Sequence, residues 1–309
     1  MKSFVNLLGR ILVGLSILFL FLKLAANLGE IRNIQIENKA TLSILFIIII
    51  NVVIALVSTY AWLLFLRTVG FGLPFKQALV IYGQSAIGKY IPGNIFHLVG
   101  RVTLGTKYGI PKEKLVYSIF IETLMVTATA ILFGFAGILL GDKYLLLLAP
   151  ILGKGEYGLL VIVLFIAISI VIILPFIFAR GKKWLKANLS YLDSQVIIKS
   201  IVLYLLTFLL VGVSIDILIN ALWEGDYNLQ WYQFAYGFAF AWCLGYITPG
   251  APGGMGIREA ILVALYGQEL GDGIVVAMVL FLRLLMTIGE LTVFVISYFL
   301  DKSEPVDVK

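Results

Sequence analysis

The sequence predicts an all-α integral membrane protein: six full transmembrane helices plus two re-entrant or broken-helix hairpins, arranged as an inverted repeat. Three observations carry that prediction. Of the 309 residues, 61% belong to the hydrophobic set and only 13% are charged, against roughly 45 to 50% and about 25% in an ordinary soluble domain. So few charges cannot cover a water-facing surface, which makes lipid the solvent for most of the chain. The apolar residues gather into runs of the length a bilayer demands, and two of those runs are interrupted by Pro and Gly in corresponding places of the two halves.

A hydrocarbon core about 30 Å thick takes roughly 20 apolar residues as a helix. That ruler gives spans near 8–27, 42–66, 115–140, 157–179, 196–221 and 274–299. The first follows Lys2 and Arg10 as a signal peptide would, but no small-x-small cleavage site follows it, so it is read as a retained span. Phe75 to Gly100 and Tyr232 to Leu265 are long enough to cross but are broken by Pro and several Gly. Non-helical backbone at membrane depth leaves amide groups unpaired, and it is tolerated only where protein or a water-filled cavity satisfies them. Both breaks are therefore expected to line a cavity.

Charge fixes orientation and excludes several classes of function. Twenty-three Lys and Arg against 17 Asp and Glu give +6, but the basic residues form short clusters between apolar runs, with no continuous basic face for nucleic acid. Positive charge stays cytoplasmic. Lys2 with Arg10, the Arg67 to Lys76 loop, Lys107 with Lys112 and Lys114, and Arg180 to Lys186 then lie inside. Glu30 to Lys39, Asp142 to Glu156, Glu224 with Asp226, and Glu269 with Asp272 lie outside. Both termini are cytoplasmic on this reading, with the first hairpin opening inside and the second outside. The single cysteine, Cys243, excludes an intrachain disulfide and a cysteine-rich metal site.

The halves resemble each other. Tyr82-Gly83 pairs with Tyr236-Gly237, Pro92-Gly93 with Pro249-Gly250 and Arg101 with Arg258, and the Pro-to-Arg spacing is nine in both halves. Four residues of slip further on, Phe120 to Met125 aligns with Phe281 to Met286. Each half reads span, span, broken hairpin, span, and an odd number of crossings inverts the second half relative to the first, a signature of transporter folds. The domain expectation is one membrane domain over 1–309, with repeat 1 at 1–141, repeat 2 at 155–300 and a short cytoplasmic tail at 301–309.

Substrate-binding candidates sit at the breaks. The first offers Lys89, Tyr90, Pro92, Gly93, Asn94 and Arg101, and the second Thr248, Pro249, Gly250, Gly253, Gly254, Arg258 and Glu259. Proline and glycine stop a helix and let another start, exposing free N–H groups and a positive dipole end to an anion. With the two arginines they suggest a two-sided phosphate clamp; the same residues also suit close helix packing and snorkelling side chains. Charges inside full spans cost about 2.5 to 3.5 kcal/mol each on insertion scales, so each demands a partner or a cavity. These are Glu122, Lys199, Asp216, Arg283 and Glu290. Glu122 and Arg283 occupy equivalent repeat positions, which predicts an ion pair between the halves. His97 has no second histidine and no nearby cysteine to share a metal, and no HExxH, GxSxG or aspartate-rich motif is present. Neither catalysis nor any cofactor is expected.

At Lys89-Tyr-Ile-Pro-Gly93 with Gly100-Arg101, and at Thr248-Pro-Gly-Ala-Pro-Gly-Gly-Met-Gly-Ile-Arg-Glu259, the chain resembles the flippase-like membrane domain of lysylphosphatidylglycerol synthase, the multiple peptide resistance factor, and its standalone relatives. The resemblance covers nearly the whole chain. It implies a prokaryotic cell-membrane protein that moves a lipid between leaflets: an anionic or aminoacylated phospholipid, or a polyprenyl-phosphate-linked lipid. In the two-part synthases a soluble aminoacyltransferase domain makes the lipid, whereas this sequence stops at Lys309 soon after its last span. A separately encoded transferase is accordingly an expected partner, and self-association is compatible with the pattern. A small-anion transporter or channel, or a membrane anchor for such a transferase, is the alternative reading.

Overall fold

A computed structural model describes residues 38–90, 95–140, 193–223, 225, 227–248, 254 and 256–301. The expected spans at 8–27 and 157–179 lie outside these residues. All regular structure among the described residues is helical. The helices are α1 (Asn38–Thr68), α2 (Phe75–Ala86), α3 (Phe96–Lys107), α4 (Lys112–Leu140), α5 (Ser194–Leu222), α6 (Trp231–Ile247), α7 (Ile257–Leu270) and α8 (Asp272–Leu300), with a 3₁₀ turn at Ile87–Tyr90 after α2.

Four of these, α1, α4, α5 and α8, are long and apolar enough to cross a bilayer. At 1.5 Å per residue the 29 residues of α8 reach about 43 Å. They coincide with four of the predicted spans and carry large apolar side chains outward, such as Leu42, Leu132, Ile198 and Phe299. An outward apolar face of this extent suits hydrocarbon and not water. The 12-residue α2 and α3 are each about 18 Å long, too short to cross alone. Each predicted broken segment is thus a helix, a break and a second helix, and the second helices run on past Gly100 and Leu265 to Lys107 and Leu270.

Long, short, short, long occurs twice in the chain. Exchanging α1–α4 for α5–α8 maps the main helix contacts onto one another: α1 on α2 matches α5 on α6, α2 on α8 matches α6 on α4, and α3 on α4 matches α7 on α8. The centre of the exchange is the packing of α1 against α5. Glycines set the closest approaches. A Cβ on Gly88 would lie 2.5 Å from the His97 backbone nitrogen, and one on Gly245 would lie 3.1 Å from the Gly254 Cα. Gly88 and Gly245, like His97 and Gly254, fall in the same register as Pro92 with Pro249 and Arg101 with Arg258. Tyr236-Gly237 stands three residues out of that register, so its likeness to Tyr82-Gly83 is one of composition and not of place.

The ends of the short helices are fixed by polar contacts. Asp301, at the C-terminal end of α8, accepts from Gln84 of α2 at 2.9 Å and from Tyr108 after α3 at 3.0 Å. At the other end of α8, Glu269 of α7 accepts the Asn228 N–H at 3.3 Å just before α6. The C-terminal ends of α3 and α7 therefore stand at opposite ends of α8. The core is aromatic and aliphatic: Trp62 of α1 donates its indole N–H to Ser118 of α4 at 3.2 Å, and Phe234 of α6 meets Tyr266 of α7 edge to face at 5.1 Å.

Candidate functional site

A cavity of about 260 Å³ opens between the two broken segments. Its walls come from the middle of each long helix: Ser58 on α1, Glu122 on α4, Tyr204 on α5, and Arg283 with Glu290 on α8. Lys89, His97 and Arg101 reach it from the first break, and Gly254 and Arg258 from the second. Charged side chains at mid-helix in an apolar bundle are costly unless paired. Here they are paired. Arg101 donates to Glu122, Arg283 donates to Glu259, and Lys89 donates to Glu290 at 2.9 Å.

The expected pair between Glu122 and Arg283 is not formed. The short helix of each half packs on the long helix that follows it, so each buried pair closes within its own half, α3 to α4 and α7 to α8. The charges are swapped between halves: the short helix brings the arginine in the first and the carboxylate in the second. Among the described residues, the ion pair of Lys89 with Glu290 joins the two halves across the cavity.

Arg101 is 4% exposed. Its guanidinium lies 4.2 Å from the Tyr82 ring centroid and 5.2 Å from that of Trp62, a cation–π seat that holds it flat against the wall. Among the described residues its Nε has no hydrogen-bond partner, nor have the buried His97 Nδ1 and Tyr204 Oη beside it. Glu259 does three jobs at once. Oε2 accepts the Gly256 N–H at 2.7 Å, capping α7 where Gly256 holds φ at 85°, and Oε1 accepts from Arg283 and stands 3.6 Å from Arg258. Arg258 itself lies 5.4 Å from the Phe238 ring centroid and shares the Glu259 carboxylate with Arg283.

Other predicted residues fall elsewhere. The Thr248 hydroxyl is spent on the Leu244 carbonyl at 2.7 Å, closing the end of α6. Asp216 faces away from the cavity and accepts from Tyr227 at 3.1 Å. Burial, with Asp216 beside it, pushes the Tyr227 phenol up to about 12, so it remains a donor at neutral pH. Lys199 is exposed near the start of α5, where its stem lets the ammonium reach the interface. Tyr90 contributes backbone to the 3₁₀ turn. Pro92, Gly93, Asn94, Pro249, Gly250 and Gly253 lie outside the described residues.

The family description "lysylphosphatidylglycerol synthase TM region" matches residues 8–293. The chain belongs to that family. A search of curated proteins gives no match. As a member of the lysylphosphatidylglycerol synthase membrane-region family it is a membrane protein, and the match runs through both breaks and into the last of the four long helices. Within that framework the structure adds residues that sequence reasoning missed. Trp242 and Tyr246 stack at 4.9 Å with an interplanar angle of 9° on the cavity wall. Tyr82 and Trp62 form the seat of Arg101. Aromatic residues in an apolar run carry no signal that separates core from cavity, whereas the carboxylate of Glu259 stood in the second motif.

Proposed function

We propose that this chain is a lipid flippase or scramblase that performs no chemical transformation. A phospholipid or polyprenyl-phosphate lipid passes its headgroup through the central cavity while its acyl or prenyl chains stay in hydrocarbon. The observation that carries the reading is a charged cavity at mid-depth of an apolar bundle, bounded by two broken helices and built from both halves. The lipid phosphate meets Arg101 and Arg258, planar donors suited to bidentate contact. The second half is an inverted copy of the first, a reading supported by the exchange of helix contacts and by the C-terminal ends of α3 and α7 standing at opposite ends of α8. In the complete bundle, six full spans flank the two re-entrant hairpins, and both termini are cytoplasmic. Rocking of one half against the other then exposes the cavity alternately to each leaflet.

Purified protein in vesicles, assayed for transbilayer movement of fluorescent anionic phospholipid, tests this. Wild-type protein is expected to accelerate exchange, and Arg258→Gln to slow it at least about tenfold with folding intact. Uptake of inorganic phosphate without lipid movement favours a small-anion transporter and overturns the proposal.

A further inference from the structure

We infer that the cavity selects a lipid with a single phosphodiester and an uncharged, one-ring polyhydroxyl headgroup: a glycosyl phosphodiester, not an aminoacylated phospholipid. The inference rests on the lipid-transport reading above and concerns the headgroup alone.

Charge gives the phosphodiester. Lys89, Arg101, Arg258 and Arg283 line the cavity with Glu122 and Glu290, and Glu259 stands directly behind. Four cations against three carboxylates leave an excess of one positive charge among the described residues. Its place is definite. Arg101 is matched by Glu122 and Lys89 by Glu290, while Glu259 serves Arg258, Arg283 and the Gly256 N–H together. The excess lies at Arg258 and Arg283. A phosphodiester carries one negative charge and neutralises it. A phosphomonoester overshoots, a zwitterionic lipid leaves it standing, and a lysyl headgroup adds further cations in a wall of low dielectric where unpaired charge is most expensive. Glu122 and Glu290 are each already held by a cation, so among the described residues an ammonium headgroup meets no disengaged carboxylate on this wall.

Hydrogen bonding and shape give the sugar. Tyr204 Oη and His97 Nδ1 are buried beside the cavity without partners, although buried polar atoms are nearly always satisfied. Both are uncharged-type donors or acceptors that match hydroxyl groups. Trp242 and Tyr246 add a stacked aromatic surface, whose electron-rich faces favour the C–H side of a pyranose. A volume of about 260 Å³, just under the roughly 300 to 1,000 Å³ of ordinary ligand pockets, accommodates one sugar ring.

The test uses the full chain in phosphatidylcholine vesicles and compares four labelled lipids: polyprenyl-phosphoglucose, phosphatidylglycerol, lysyl-phosphatidylglycerol and phosphatidate. The glucosyl lipid is expected to move fastest and phosphatidylglycerol next, with the other two at least about tenfold slower. Tyr204→Phe, which removes only the hydroxyl, should lower the glucosyl rate relative to that of phosphatidylglycerol. Lysyl-phosphatidylglycerol moving as fast as the glucosyl lipid, or all four moving equally, overturns the inference while lipid transport stands. Phosphatidylglycerol outrunning the glucosyl lipid overturns the sugar. If no lipid moves, whether or not inorganic phosphate enters, the transport reading falls and the inference falls with it.

Discussion

At the scale of single residues, the site is a set of coupled charges, and its pairing differs from what a linear alignment suggests. Arg101 with Glu122 is buried on every side, so removing one partner strands the other. Breaking a buried pair costs roughly 3 to 5 kcal/mol, whereas replacing both with well-packed apolar residues is nearly neutral. Arg101→Met and Glu122→Leu should each lower the melting temperature of detergent-purified protein, and the double variant should recover most of the loss. Glu122→Leu combined with Arg283→Met should instead show additive losses, because those side chains are not partners. Recovery in the second combination would contradict the pairing seen here. The alignment placed Glu122 and Arg283 at equivalent positions. Symmetry-related side chains meet only beside the axis, and sequence carries no measure of that distance. Arg101, Arg258 and Glu259 were legible because Pro-Gly breaks followed by a cation are rare in apolar sequence. Trp242, Tyr246 and Tyr204 were not, because an aromatic ring reads the same whether it faces core, lipid or cavity.

At the scale of elements, the four long helices were legible from length and hydropathy, and the two breaks from their prolines and glycines. What sequence could not supply was how tightly the halves of each break close. Gly88 against His97 and Gly245 against Gly254 are backbone-to-backbone approaches with no flexible side chain to give way. Gly88→Val and Gly245→Val should each destabilise the protein by more than the ~1 to 3 kcal/mol typical of overpacking, read as a fall in melting temperature. Gly72→Ala has open space around it and should be neutral. Equal tolerance at all three sites would show that the breaks are loosely packed. The 3₁₀ turn after α2 was equally invisible beforehand, since its formation depends on the short helices meeting at Gly88.

At the scale of the whole molecule, the sidedness expected from loop charges gives one checkable arrangement. In a chain with Cys243→Ala, cysteines at Lys76 and Lys112 should react from the cytoplasmic side, and one at Glu269 from the outside. Labelling of Lys76→Cys and Glu269→Cys from the same side would remove the inverted arrangement. On the proposed lipid-transport reading, a last consequence follows from the one positive charge that stands in excess at Arg258 and Arg283 among the described cavity residues. With a phosphodiester in place the mobile unit is electrically neutral, so reorienting it in the membrane field does no work. An empty unit carries one elementary charge in excess on its cavity wall, for which at most about 2.3 kcal/mol is at stake per 100 mV. One-for-one exchange of lipid across vesicles should therefore run at the same rate with or without an imposed potassium diffusion potential, while net movement into lipid-poor vesicles responds to its sign. The protein would then sense voltage only when it returns without cargo.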